Sequence, residues 1–219
     1  MIHYAIGDVH GERAKLERLL EAIGADARGR AHRIVLLGDM IDKGPDSAGV
    51  VRLARALEAE GRAVCIRGNH EDMAVRAGEG TQRPHWLGRG GREMVNSYAG
   101  DDAQRADDVA WMAELPTRHV SGGGRFVFVH AGIDPDTYPA GSAVSDMWTR
   151  TDGFTHSERW TNPALAGVTV VHGHTPRSDQ PDISADGRRI NVDTGACSGG
   201  PLTAAVCETG RAVRFLSVG

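Results

Sequence analysis

Short unbroken apolar runs alternate with apolar residues at helical spacing along the first third of this chain. Residues 3–6, 33–37 and 63–66 read as strands, and the continuous Ile34-Val35-Leu36-Leu37 run suits a strand buried on both faces. Between them, Leu16, Leu19, Leu20 and Ile23 share one helical face, as do Val50, Val51, Leu53 and Leu57. Pro45-Asp46-Ser47 opens the second helix, with Pro45 suited to its first turn. The order β-α-β-α-β predicts an α/β fold whose parallel sheet has right-handed crossovers.

After Glu71 the strand signals stop until about Arg118, and a helix is expected near 109–115. We expect a single domain over 1–219, with a helical insertion at about 72–120 lying over the site. Strands resume at 126–129, 168–171, 189–192, 203–206 and 212–216. Their short links predict a largely antiparallel second half.

Composition narrows the function. A net charge of −4 argues against a nucleic-acid binder that depends on phosphate contacts. No apolar stretch approaches the roughly 20 residues of a membrane span, and no signal-peptide pattern opens the sequence. Cys65, Cys197 and Cys207 are far apart and without CxxC spacing, which suits reduced thiols in a cytoplasmic protein. Nothing here specifies an oligomeric state.

The candidate chemistry sits where the apolar runs end. Gly7-Asp8-Val9-His10-Gly11, Gly38-Asp39-Met40-Ile41-Asp42, Gly68-Asn69-His70-Glu71, His130-Ala131-Gly132 and His172-Gly173-His174 come in that order, the first four directly after strands. Strand ends of an α/β sheet converge on one edge, where ligands bind. Asp8 and His10 can share one divalent ion, and Asp39 has oxygens enough to bridge two. Asn69 adds an amide oxygen, and His130 and His174 add imidazoles. Such a mixed set suits manganese, iron or zinc. Two bound ions lower the pKa of water from 15.7 to about 7 and clamp a phosphoryl oxygen. His70 is then the candidate general acid, with Asp42 orienting it and favouring its charged form. Arg67 and Lys43 are candidates for the phosphate oxygens.

Together, GDVHG, GDMIDKG, RGNHE, HAG and HGHTP resemble the phosphoprotein phosphatase family of metal-dependent serine/threonine phosphatases. The short length and the Asp193-Thr194-Gly195-Ala196 that follows look most like its bacterial and phage branch, which includes the bacteriophage lambda enzyme. The resemblance implies a calcineurin-like metallophosphoesterase fold, with two central mixed sheets flanked by helices. It assigns Asp8, His10 and Asp39 to one metal and Asp39, Asn69, His130 and His174 to a second, manganese being the expected ion. It also implies in-line attack on phosphorus by a hydroxide between the ions, His70 as acid, and Arg67 and Arg150 as phosphate-binding residues.

Where the family usually has Asp-Arg-Gly, this chain has Asp42-Lys43-Gly44, which lacks the arginine fork. The expected substrate is a phosphorylated protein or a small phosphate ester. Cleavage of diadenosine tetraphosphate is the alternative, and GNHE together with Asp42 favours the monoester. Glu71 is expected to anchor a helix start or the catalytic loop, His172 to be structural, and Asp193 and Thr194 to make a turn or to support the ligands from behind. His3, His32, His85, His119 and His156 match no motif.

Overall fold

The computed structural model describes residues 1–80 and 82–219. Its first sheet grows from the predicted units β1 (Ile2–Ile6), α1 (Arg13–Ala27), β2 (His32–Leu36), α2 (Ser47–Ala59) and β3 (Ala63–Cys65). β1, β2 and β3 are parallel neighbours. The strand alternation decides which residues face which layer. Tyr4 and Ile6 pack under Leu16, Leu19 and Ile23 of α1, while Ala5 points the other way, into a second core with Val35, Leu37 and Phe128. Burying side chains such as Leu16 and Leu19 contributes about 1.5–3 kcal/mol each.

α2 begins one residue after its cap. The Asp46 carboxylate accepts the Gly49 N–H at 2.7 Å, so Pro45 precedes the cap and lies outside the first turn.

Helices fill the next stretch: α3 (Asn69–Gly78), α4 (Arg83–Trp86), a π turn at Leu87–Gly91, α5 (Arg92–Ser97) and α6 (Asp102–Glu114). Asp101 caps α6 by accepting the Gln104 N–H at 3.0 Å, which starts this helix well ahead of Val109.

The second sheet is built from β4 (Arg118–Val120), β5 (Phe126–Val129), β6 (Thr169–His172), β7 (Asp182–Ile183) and β8 (Arg189–Asn191), with α7 (Ala143–Trp148) and α8 (Asp152–Thr155) between β5 and β6. Its strand order is β4-β5-β6-β8-β7. The expectation of a largely antiparallel second half holds at the two edges of this sheet, β4–β5 and β7–β8, and fails at its centre, where β5, β6 and β8 are parallel. The cause is the connections. The chain crosses from β5 to β6 through two short helices, and after β6 it runs to the sheet edge and returns as β7 before β8 enters alongside β6. β9 (Leu202–Cys207) and β10 (Arg214–Val218) go back to the first sheet and pair antiparallel there.

Ala5, Val35, Leu37, Phe126, Phe128 and Val171 fill the space between the sheets. The outer face of the second sheet is covered through Val127, Val129, Phe154 and Trp160. Two sheets stacked this way bring the C-terminal ends of β1, β2, β3, β5 and β6 to a common rim. No helix of the structure is long and apolar enough to cross a membrane.

Candidate metal centre

The loops at that rim turn through unfavourable backbone. His10, Asp39, Asp42, Lys43 and His174 all have positive φ, from 46° to 75°. Left-handed conformations of this kind cost on the order of 1 kcal/mol each and persist only where the surroundings enforce them.

One buried carboxylate does much of the enforcing. Glu71 accepts N–H groups from Asp39 and Met40 at 2.8 Å each and from Gly68 at 2.9 Å. It therefore ties the loop after β2 to the loop after β3, the anchoring role expected for it. The two loops touch so closely that a Cβ on Gly68 would lie 2.4 Å from the Asp39 nitrogen. Only glycine permits that approach. The loop contact is completed by the His70 N–H, which donates to Asp39 Oδ1 at 3.0 Å.

Around Asp39 the donor atoms fall into two groups. In one, His10 Nε2 lies 3.5 Å from Asp39 Oδ2 and 4.0 Å from Asp8 Oδ2. His10 Nδ1 faces the Ile41 carbonyl at 2.8 Å, so Nδ1 carries the hydrogen and Nε2 the lone pair. The ammonium of Lys43 rests on that lone pair at 2.8 Å. In the other, Asn69 Oδ1 is 2.8 Å from both His130 Nε2 and His174 Nδ1, and Asp39 Oδ1 is 3.3 Å from His130 Nε2. His130 Nδ1 donates to the Leu37 carbonyl at 2.9 Å, leaving its Nε2 as an acceptor. Only His174 Nδ1 can bring a hydrogen into this group, which otherwise consists of acceptors. Its Nε2 takes the Nε–H of Arg150 at 2.9 Å.

The electrostatics agree with this crowding. Burial drives His10 and His130 well below the usual imidazole range, and takes His174 to about 2 with His130 adding to the effect. Burial pushes Asp39 up, reinforced by the Glu71 charge, and pushes Asp8 up, reinforced by Asp193 and then Asp39. Neutral imidazoles with inward lone pairs and buried carboxylates without enough cations make a donor set that fits divalent ions. Among the described residues, His10, Asp39 and His70 form one such cluster, and Asp39, His130 and His174 form another. Asp8 lies beside the first cluster, its oxygens accepting the His174 N–H at 3.0 and 3.2 Å.

His70 and Asp42 meet as expected, with Nδ1 to Oδ2 at 2.7 Å. A third member is new: Trp86 Nε1 donates to the same Asp42 oxygen at 3.0 Å. The expectation that Asp42 favours a charged His70 is overridden in this structure. Burial holds the imidazole down to about 3, and the cations Lys43 and Arg89 add to the effect. Burial also pushes Asp42 well above the carboxylate range.

The cleft above these groups has a volume of about 620 Å³. Asp39, Asn69, His70 and His174 make its floor, and Lys43, His85, Arg89, Trp148 and Arg150 surround them. Arg67 is not part of this lining. Its guanidinium pairs with Asp72 at 2.9 Å and donates to the Ala113 carbonyl at 3.3 Å, which fixes α3 to the end of α6. His85 and Arg89 belong to the cleft although no motif marks them. His172 stays out of both donor groups, as expected: it accepts from Arg189 at 3.2 Å and packs edge-on against Phe154.

Two helix-flanked mixed sheets carrying this donor set define a metallophosphoesterase. Residues 4–199 match the model of the calcineurin-like phosphoesterases, and the chain belongs to that family, whose hydrolases use divalent metals. Among its relatives, serine/threonine-protein phosphatase 1 of Salmonella typhimurium is 31% identical, over 92% of this chain and 90% of the relative. The asymmetrical bis(5'-nucleosyl)-tetraphosphatase of Halalkalibacterium halodurans is 29% identical, over 91% of this chain and 87% of the relative. A serine/threonine phosphatase structure from Saccharomyces cerevisiae superposes with a TM-score of 0.70 at 16% identity, over 99% of this chain and 79% of that one, and shares the fold.

Proposed function

We propose that this phosphoesterase hydrolyses phosphate monoesters with alkyl leaving groups, as a serine/threonine protein phosphatase does. The observation that carries this reading is the buried His70–Asp42 hydrogen bond, braced by Trp86. A serine or threonine alkoxide is a poor leaving group and must be protonated as it departs. A nucleotide leaving from a polyphosphate needs that help far less.

Asp8, His10 and Asp39 would hold one divalent ion, and Asp39, Asn69, His130 and His174 a second, manganese being the ion we favour. When bound, the pair supplies Lewis acidity toward a phosphoryl oxygen and a water acidic enough to ionise near neutral pH. With Nδ1 of His174 as a ligand atom, Nε2 would carry the ring hydrogen and Arg150 would lose its acceptor. Its guanidinium is then available to the phosphate oxygens. Lys43 contributes a second charge around the same cleft. His70 Nε2 faces the cleft because Nδ1 is committed to Asp42. Burial holds His70 down and Lys43 and Arg89 add to it; an arriving phosphate dianion would offset those two cations and raise the affinity of His70 for the proton it must deliver. Three free cysteines suit a cytoplasmic setting.

The second reading is cleavage of dinucleoside polyphosphates. The tetraphosphatase relative and the three cations Lys43, Arg89 and Arg150 around one cleft favour it. Metal-stripped protein reloaded with manganese decides between them. Faster release of phosphate from a phosphoserine peptide than cleavage of diadenosine tetraphosphate supports the monoesterase, and the reverse order overturns it. Within the first reading, His70→Asn should retain both ions and lose far more rate on the peptide than on an activated aryl phosphate. Equal losses would remove His70 from the proton-donor role.

A further inference from the structure

Between α4 and α5 the backbone leaves helical geometry at Arg89 (φ −112°, ψ 20°) and Gly90 (φ 108°). Interruptions of this π type weaken the helical hydrogen bonding and concentrate at functional sites. This one is fitted closely to the loop after β2. The Gly90 carbonyl accepts the Lys43 N–H at 3.2 Å, and a Cβ on Gly90 would lie 2.7 Å from that nitrogen. On the other side, a Cβ on Gly91 would lie 2.5 Å from the Trp86 ring, the same indole that holds Asp42. No side chain fits on either glycine, and the turn is locked against Asp42 and Lys43.

What the turn presents to the cleft is Arg89, which surrounds the floor together with Lys43 and Arg150. The guanidinium is exposed and forms no ion pair or side-chain hydrogen bond among the described residues. Arg67, the arginine spelled into the third motif, is tied to Asp72. Lys43, where the resembled family has arginine, offers a point charge without a planar fork. At the Lys43 position the cleft therefore lacks a forked donor, and the π turn brings one to it.

We propose that Arg89 binds the non-bridging oxygens of the substrate's phosphoryl group, supplying the bidentate contact that Lys43 cannot make. The inference rests on the phosphoester-hydrolase reading and adds to it a binding residue that lies outside every motif. Arg89 takes no part in ion binding, so its role can be separated from that of the metal ligands.

The test uses the manganese-loaded protein and inorganic phosphate as the probe, with binding followed by calorimetry. Arg89→Gln should weaken phosphate binding by about 10- to 100-fold, the range expected for a lost charge-assisted contact, at unchanged metal content. Arg89→Lys should recover only part of the loss, and Lys43→Arg placed on Arg89→Gln should recover more by restoring a fork to the cleft. For the ester the enzyme turns over, KM should rise more than kcat falls. Phosphate affinity within about twofold of the parent in Arg89→Gln would overturn the proposal, as would a loss seen in Arg67→Gln and not in Arg89→Gln. Phosphate binding that depends on Arg89 in a protein that hydrolyses neither ester would leave this inference standing and defeat the hydrolase reading.

Discussion

The floor and the rim of the cleft are built on opposite principles. The floor consists of buried strand-end side chains, and the far nitrogens of its rings are pinned: His10 to Ile41, His130 to Leu37, His70 to Asp42. Its loops are strained and tied together by Glu71. On the rim, Lys43, His85, Arg89 and Arg150 are solvent-exposed, joined by the half-buried Trp148, and only Lys43 and Arg150 of the four reach down to floor imidazoles. The difference assigns the work. A fixed floor determines which reaction is possible, because ligand geometry tolerates little error. An adaptable rim determines which ester is accepted. Two relatives of this chain named for different substrates are what such a division would produce.

The strongest way to break the comparison is at the floor's centre. Asp39→Ala should remove a shared ligand, lower metal content measured by elemental analysis, and cut hydrolysis by roughly a thousandfold. A rim-sized effect would mean that the floor is not what sets the chemistry. Next comes Glu71→Ala, which strands three backbone N–H groups in the interior and should cost about 3–5 kcal/mol in urea unfolding. A loss under about 1 kcal/mol would show that the loops hold themselves. Trp86→Phe keeps the ring and removes one hydrogen bond to Asp42. It should slow alkyl-phosphate turnover about tenfold and leave aryl-phosphate turnover nearly unchanged. The smallest effect lies away from the cleft. His3, buried beside His119, has its pKa lowered from 6.5 to about 4 by burial and then by the His119 charge. The unfolded ring therefore binds a proton that the folded ring refuses, and stability should fall as pH drops from about 6.5 to about 4, then level off. A thermal-unfolding series in acid should show a slope over that range that is reduced in His3→Gln; an unchanged slope in that variant would remove His3 from the acid response.

The floor was legible because its signals are local. An apolar run followed by Asp, His or Asn is visible in the one-dimensional pattern, and the β-α-β-α-β order says where those residues converge. The rim was legible only in part: Lys43 and Arg150 stand in or near motifs, whereas His85, on the one-turn α4, and Arg89, in the π turn, lie where no periodicity announces them. The same holds for Trp86, whose indole meets Asp42 across 44 positions of chain. Arg67 shows the converse. Its motif context marks it for the substrate, yet Asp72, five residues on, is the closer partner once α3 forms. In the second half, strand direction at the centre of the sheet was misread because link length suggested hairpins, whereas β7 carries the chain back along the edge before β8 begins. Asp193, expected to make a turn or to support the ligands, lies near enough to the floor for its charge to act on Asp8.

Glu71 touches no position where a substrate would lie, yet it limits how this molecule can be altered. It gauges the loop after β2 against the loop after β3 with a single side chain, so adding or deleting a residue in either loop would misplace both ends of the gauge at once. The segment carrying His85 and Arg89 is seated, among the described residues, by Gly90, Gly91 and the Trp86 indole on Asp42. A designer seeking a new substrate would vary His85 and Arg89, keep Trp86, and leave the spacing from Gly38 to Asp42 and from Gly68 to Glu71 untouched.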